Sequence, residues 1–161
     1  MVSCRQSIKW KNVTIKDGLY VDSSSGEILD GKYKSVTHLG HDMSRVDIII
    51  VEYSNGIPVG EWSDTHAGDL IHSGKYLKEE GTKSNIQRLT KCKRVDLDLW
   101  KEADYQFLTL ELIEPLASDT LTLEKVIEIT KSSLLEKYKF KTIIIDSIGL
   151  TDKNYIYEYN I

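Results

Sequence analysis

The sequence predicts an α+β fold: a mostly antiparallel sheet built from hairpins, with one main helix at about 123–139 packed on it. Three observations carry this reading. Short β-branched and aromatic runs recur between Gly, Asn and Asp punctuation through the first half. Tyr and Trp, at 9 and 3, outnumber the 2 Phe, a balance that favours strands and amphipathic surfaces. Only one long segment keeps apolar residues at three- and four-residue spacing. With 161 residues the chain is about one domain's length, and 40% hydrophobic with 29% charged residues excludes a disordered or fibrous chain. The expected organisation is a single domain over 1–161, with a hairpin-rich half (1–80) and a strand–helix–strand half (81–161).

The first strand is expected over Ile8–Ile15, where β-branched and aromatic residues alternate with Lys, and Asp17-Gly18 turns the chain. Leu19–Val21 is extended, Ser23–Gly26 is a second turn, and Glu27–Leu29 is a short strand closed by Asp30-Gly31. Lys32–Val36 follows. Asp47–Tyr53 holds four consecutive β-branched residues and reads as a core strand. Asn55-Gly56 is a strong hairpin signal, with Val59–Trp62 returning. Later, Arg94–Trp100 alternates cleanly and Tyr105–Ile113 is a further strand. The helix over Leu123–Lys139 starts from Thr122 as N-cap and carries Lys137 and Lys139 at its end. Lys141–Ile148 and Tyr155–Tyr159 close the sheet.

The charge balance is mild, 21 basic against 25 acidic residues, and lacks the basic excess of a nucleic-acid-binding domain. Cys4 and Cys92 form neither a zinc framework nor a disulfide scaffold, and they fit a reducing compartment. The opening residues carry no apolar signal segment, and the longest apolar run, Ile48–Val51, is far short of a membrane span. A cytoplasmic protein is expected.

Two segments echo each other. Gly18-Leu19-Tyr20 matches Gly60-Glu61-Trp62, Gly26 matches Gly68, and Gly31-Lys32-Tyr33 matches Gly74-Lys75-Tyr76 one residue later. The stretch Asn55–Trp62, continuing through Gly68 to Gly74-Lys75-Tyr76, resembles the MORN-type hairpin repeat. It is most similar to the degenerate copies found in bacterial antitoxin and immunity-type proteins. The resemblance covers residues 17–33 and 55–76, about a quarter of the chain. It implies glycine-turned hairpins and a protein-binding role.

Chemistry is sparse. His38, His41 and Asp42, with His66 or His72, have zinc-ligand chemistry, but the spacing of the first pair defines no common face, so an exposed loop is expected. Asp64 and His66 read as turn residues rather than an acid–base pair. No phosphate loop or nucleophile elbow occurs. Lys83–Arg94, with five basic residues and no acid, is expected to be a solvated connector or strand edge.

No catalytic residue, metal or cofactor is therefore assigned, and the chain is read as a non-enzyme. The acidic residues instead gather around the two hairpins, near Tyr20, Tyr53, Trp62 and Tyr76, which are expected to be exposed. Partner binding is assigned to Trp62 as anchor, with Glu61, Asp64, Asp69, Tyr53, Tyr20, Glu27 and Asp30. The resemblance then implies a cytosolic immunity or antitoxin protein that covers the active surface of a cognate toxin. A nuclease with a basic cleft would suit these carboxylates, without direct contact to nucleic acid or membrane. The alternative is a structural or scaffold module with the same hairpins.

Overall fold

The computed structural model describes residues 7–39, 45–115, 119–148 and 155–161. The chain forms two compact units, 1–71 and 72–161.

In the first unit the expected strand over Ile8–Ile15 is two strands, β1 (Lys9–Trp10) and β2 (Val13–Lys16). The break falls at Lys11-Asn12, where the Asn12 carbonyl accepts from the Ser23 N–H. β2 pairs antiparallel with β3 (Leu19–Asp22) across Asp17-Gly18, both at positive φ as a type I′ turn requires. Glu27–Leu29 forms no strand; it contributes an isolated bridge between Ile28 and Val21. β4 (Gly31–Leu39), β5 (Arg45–Ser54) and β6 (Ile57–His66) pair antiparallel in sequence, and β1 joins β4 in parallel. Asn55-Gly56 makes the β5–β6 turn, at φ 49° and 79°. β6 runs four residues beyond the expected Trp62, so Asp64 and His66 lie on a strand, and Ala67-Gly68 is the turn.

The β2–β3 ribbon docks on the β5–β6 turn. Tyr20 N–H donates to the Gly56 carbonyl at 2.9 Å, and Gly56 N–H donates to Leu29 at 2.7 Å. Val21, Leu29, Val51 and Tyr53 are buried there, with the Tyr20 ring 5.4 Å from that of Tyr53. Exposure of Tyr53 is thus corrected: at 6% accessible it belongs to the packing under the ribbon. Tyr20, Trp62 and Tyr76 are half-buried.

β7 (Asp69–Tyr76) begins in the first unit and ends in the second. Next comes α1 (Glu80–Thr90), an 11-residue helix where a connector was expected over Lys83–Arg94. β8 (Arg94–Glu102) and β9 (Tyr105–Ile113) form an antiparallel pair. α2 (Thr120–Tyr138) then leads to β10 (Thr142–Ile148) and β11 (Tyr155–Asn160). β9 and β10 are parallel, as β1 and β4 are, so the sheet is mixed, while its other described pairs are antiparallel. The physical reason is the connection. Parallel neighbours require a long crossover, and α2 supplies it.

The helix α2 starts three residues earlier than expected. Asp119 is its N-cap, accepting from the Thr122 N–H and hydroxyl, both at 2.9 Å. Thr122 is thus inside the helix as a donor to the cap. The fold has two helices, not one, and both lie on the apolar face of the second unit's sheet. Val95, Leu97, Leu108, Leu110, Leu112, Ile143 and Ile145 are buried against Ile86 of α1 and Leu123, Val126 and Leu134 of α2. No described helix is long and apolar enough to cross a membrane.

Candidate functional site

The β5–β6 register decides which side chains of the first unit share a face. Ile48 pairs with Thr65, Ile49 with Asp64 and Ile50 with Ser63. Alternation then sets Asp47 and Ile49 on the same face as Trp62, Asp64 and His66. An irregularity between Ile50 and Glu52, opposite Gly60 at φ 67°, shifts the pairing just before Trp62.

This face holds a charge arrangement that the spacing of residues 64 and 66 did not reveal. His66 Nδ1 lies 2.9 Å from Asp47 Oδ1, a hydrogen-bonding distance for Nδ1–H donating to a carboxylate. The Asp47 side chain is fully buried, whereas that of His66 is 45% exposed. A buried acid thus orients a surface imidazole. The partner of His66 is Asp47, nineteen positions earlier in the chain, not neighbouring Asp64. Only the antiparallel register brings them together. Asp64 is itself 6% accessible, so its assignment to an exposed partner surface is corrected: it is a buried strand residue.

The remaining assigned residues separate along the hairpin. Glu27 is exposed beside Lys11, at 3.9 Å, and Asp30 is exposed at the β5–β6 turn, where its carboxylate accepts from the Asn55 N–H at 3.1 Å. Asp69 is exposed beyond the Ala67-Gly68 turn, at the other end of a ten-residue strand. At about 3.4 Å per residue those ends are roughly 30 Å apart. Glu61, exposed, and Trp62, half-buried, occupy the middle. The eight residues form no single cluster. Of those on β6 and the start of β7, Glu61, Trp62 and Asp69 keep some accessibility.

A second surface was missed altogether. Lys9 pairs with Tyr33 and Trp10 with Lys34 across β1 and β4, and Lys34 Nζ stands 5.7 Å from the Trp10 ring centre. Trp10 is 54% exposed. Lys11 is held by Asp22 at 3.2 Å, which keeps the ammonium's pKa above its usual value; the Ser24 N–H, donating to Asp22 at 3.0 Å, and then Lys11 hold that carboxyl below its usual value. The sequence signal was present as Lys-Trp-Lys and Lys-Tyr-Lys, but pairing of the two runs was not legible.

In the second unit, Asp96, Glu111 and Asp146 stand in register on adjacent strands, on the face opposite the core. Asp96 is 2% accessible and bonds Arg94 Nε through both carboxylate oxygens. Burial outweighs that partner and pushes the Asp96 carboxyl up; burial also raises Asp146. Burial likewise raises the Cys92 thiol, which disfavours the nucleophilic thiolate.

The histidine set considered for zinc divides. His41 lies outside the described residues, as does the side chain of His38. His66 meets Asp47, and His72 packs edge-on to Trp100 at 5.4 Å with Glu102 3.7 Å from its Nε2. Among the described residues no group of three or more His, Cys, Asp or Glu is placed to hold a metal. No protein-family model, curated protein or solved structure matches the chain.

Proposed function

We propose that the chain is a protein-binding, toxin-neutralising protein of the antitoxin or immunity type, acting in the cytoplasm by occluding the active surface of a cognate protein. The observation that carries the reading is the His66 end of β6. A half-buried Trp62 shares a strand face there with an imidazole held in place by buried Asp47, and Glu61 and Asp69 add exposed carboxylates along the same hairpin. An aromatic anchor beside exposed acids suits a basic protein surface: the ring supplies affinity and the carboxylates supply steering. The MORN-like resemblance of Asn55–Tyr76 supports the same reading.

The test is co-expression with the product of the neighbouring gene, followed by co-purification and binding kinetics. Glu61→Lys with Asp69→Lys should slow association at low salt, with the difference shrinking at high salt. Trp62→Ala should cost about 2 kcal/mol of binding through faster dissociation. A folded triple variant that binds unchanged would remove the site from this hairpin.

The Asp47–His66 pair favours a second reading, in which His66 is a general base oriented by a buried acid. His66→Ala separates the two. Loss of turnover on a small ester or phosphodiester panel would support the base, whereas loss of partner binding alone supports the first reading.

A further inference from the structure

β11 ends the sheet of the second unit, and its hydrogen-bonding direction can be worked out. Ile161 N–H donates to the Lys141 carbonyl at 3.0 Å, in the same register as Thr142 opposite Asn160. Positions 159, 157 and 155 therefore also bond inward to β10, because bonded and non-bonded pairs alternate along an antiparallel ladder. The N–H and C=O groups of Ile156, Glu158 and Asn160 then point outward. Among the described residues nothing pairs with them.

Natural sheets blunt such an edge with Lys, Pro or a bulge. The two-residue β1, an edge of the first unit, does so, with Lys9 within it and Lys11 directly after it. β11 has none of these within Tyr155–Asn160, and its register with β10 is unbroken over six pairs. Tyr157 and Tyr159 are both exposed, on the face where Lys131 of α2 lies 5.7 Å from the Tyr159 ring centre.

We infer that β11 is a homodimerisation edge, pairing antiparallel with β11 of a second copy about a two-fold axis through Tyr157. The sequence of the strand is self-complementary in this register. Position 156 of one chain bonds position 158 of the other and the reverse, giving four main-chain hydrogen bonds. Tyr157 faces its own copy in a non-bonded pair, where side chains approach most closely. Glu158 stands opposite Ile156. Sliding by one two-residue step sets Glu158 against Glu158 of the second copy, and like charges directly opposite are unfavourable. A further step puts Tyr159 on the axis but pairs only positions 158–160 of the strand. An isologous contact closes at two copies, because each β11 edge is then taken up by the other.

The experiment is sedimentation of the full chain over a micromolar concentration series, with three variants. Wild type should shift from monomer to dimer. Glu158→Pro removes an outward N–H that β10 does not use, so the fold should persist while dimerisation weakens about tenfold or more. Tyr157→Lys sets two ammonium groups together on the axis and should leave monomer at every concentration. In a Cys4→Ser background, Tyr157→Cys should cross-link to a disulfide dimer on mild oxidation, since a non-bonded pair brings the two Cα atoms within disulfide range. Cross-linking through Glu158→Cys instead would overturn the register. A wild type that stays monomeric throughout, or a dimer indifferent to both Glu158→Pro and Tyr157→Lys, would overturn the proposal.

Discussion

Two carboxylates of the second unit respond to folding in opposite senses. Asp146 is raised by burial, and its Oδ1 has no hydrogen-bond partner among the described residues. A raised folded value means the native state holds the proton more tightly than the unfolded chain. Stability from this group is then lost as pH rises from the ordinary aspartate value near ~3.9 through the higher folded one. Asp146→Asn should therefore raise stability at pH 7, by about 1 kcal/mol, and remove that part of the pH dependence. Denaturant melts of both proteins at pH 4 and pH 7 check it; equal midpoint shifts at the two pH values would refute the burial argument. Glu79 behaves in reverse. Lys137 and Tyr138 both donate to its Oε1, holding the carboxyl below the usual glutamate range. Its contribution is present at neutral pH and fades as pH falls through the folded value. Glu79→Gln should thus destabilise at pH 7 and make little difference under strongly acid conditions.

The turns show which elements were legible and which were not. Asp17-Gly18 and Asn55-Gly56 announced themselves, because Gly, Asn and Asp tolerate positive φ. Ala67-Gly68 did not, because Ala67 takes φ 51° without the chemistry that marks such a position. By sequence pattern β6 therefore ends at Trp62, and Asp64 and His66 fall to a turn. The helix α1 was hidden for a related reason. Its buried residues are Thr82, Ile86 and Thr90, a four-residue stripe with a single apolar side chain, and it ends on Lys91 at φ 56° where no glycine marks the stop. α2 was plain from Leu123, Val126 and Leu134, while its true cap Asp119 lay one turn further out. Strand partners were the least legible: neither the parallel β9–β10 pair nor the Asp47–His66 contact has a local signature. Two substitutions test the turn argument. Ala67→Asn should stabilise by about 1 kcal/mol by relieving the left-handed strain. Gly56→Ala should destabilise by more than about 2 kcal/mol, since φ is 79° and a Cβ would stand 2.9 Å from Leu19 Cβ and 3.2 Å from the Tyr20 carbonyl oxygen. Thermal melts that leave both variants within error of the parent would show that these turns carry no strain.

Across the whole molecule the apolar burial is uneven. Among the described residues, four buried hydrophobic side chains lie in the first unit and sixteen in the second. Against so few apolar side chains the first unit buries Asp22, Asp47 and Asp64, whose desolvation cost must be offset by specific partners such as Lys11 and His66. The second unit has a continuous cluster under two helices, with Leu97, Leu108, Leu110, Leu112, Val126 and Ile143 fully enclosed. Burial of this kind dominates folding free energy, so the two units should open at different cost. Native-state hydrogen exchange should find the slowest amides in β8, β9 and β10, which exchange only with global unfolding. The β2–β3 ribbon should open first, since four short pairs and the contacts around Gly56 hold it. Exchange should also quicken throughout the first unit in His66→Ala, which strips the fully buried Asp47 of its imidazole partner, and remain unchanged in the β8–β10 amides. Uniform protection across both units, or protection greatest in β2–β3, would contradict the inference that the core of the second unit sets the stability of the chain.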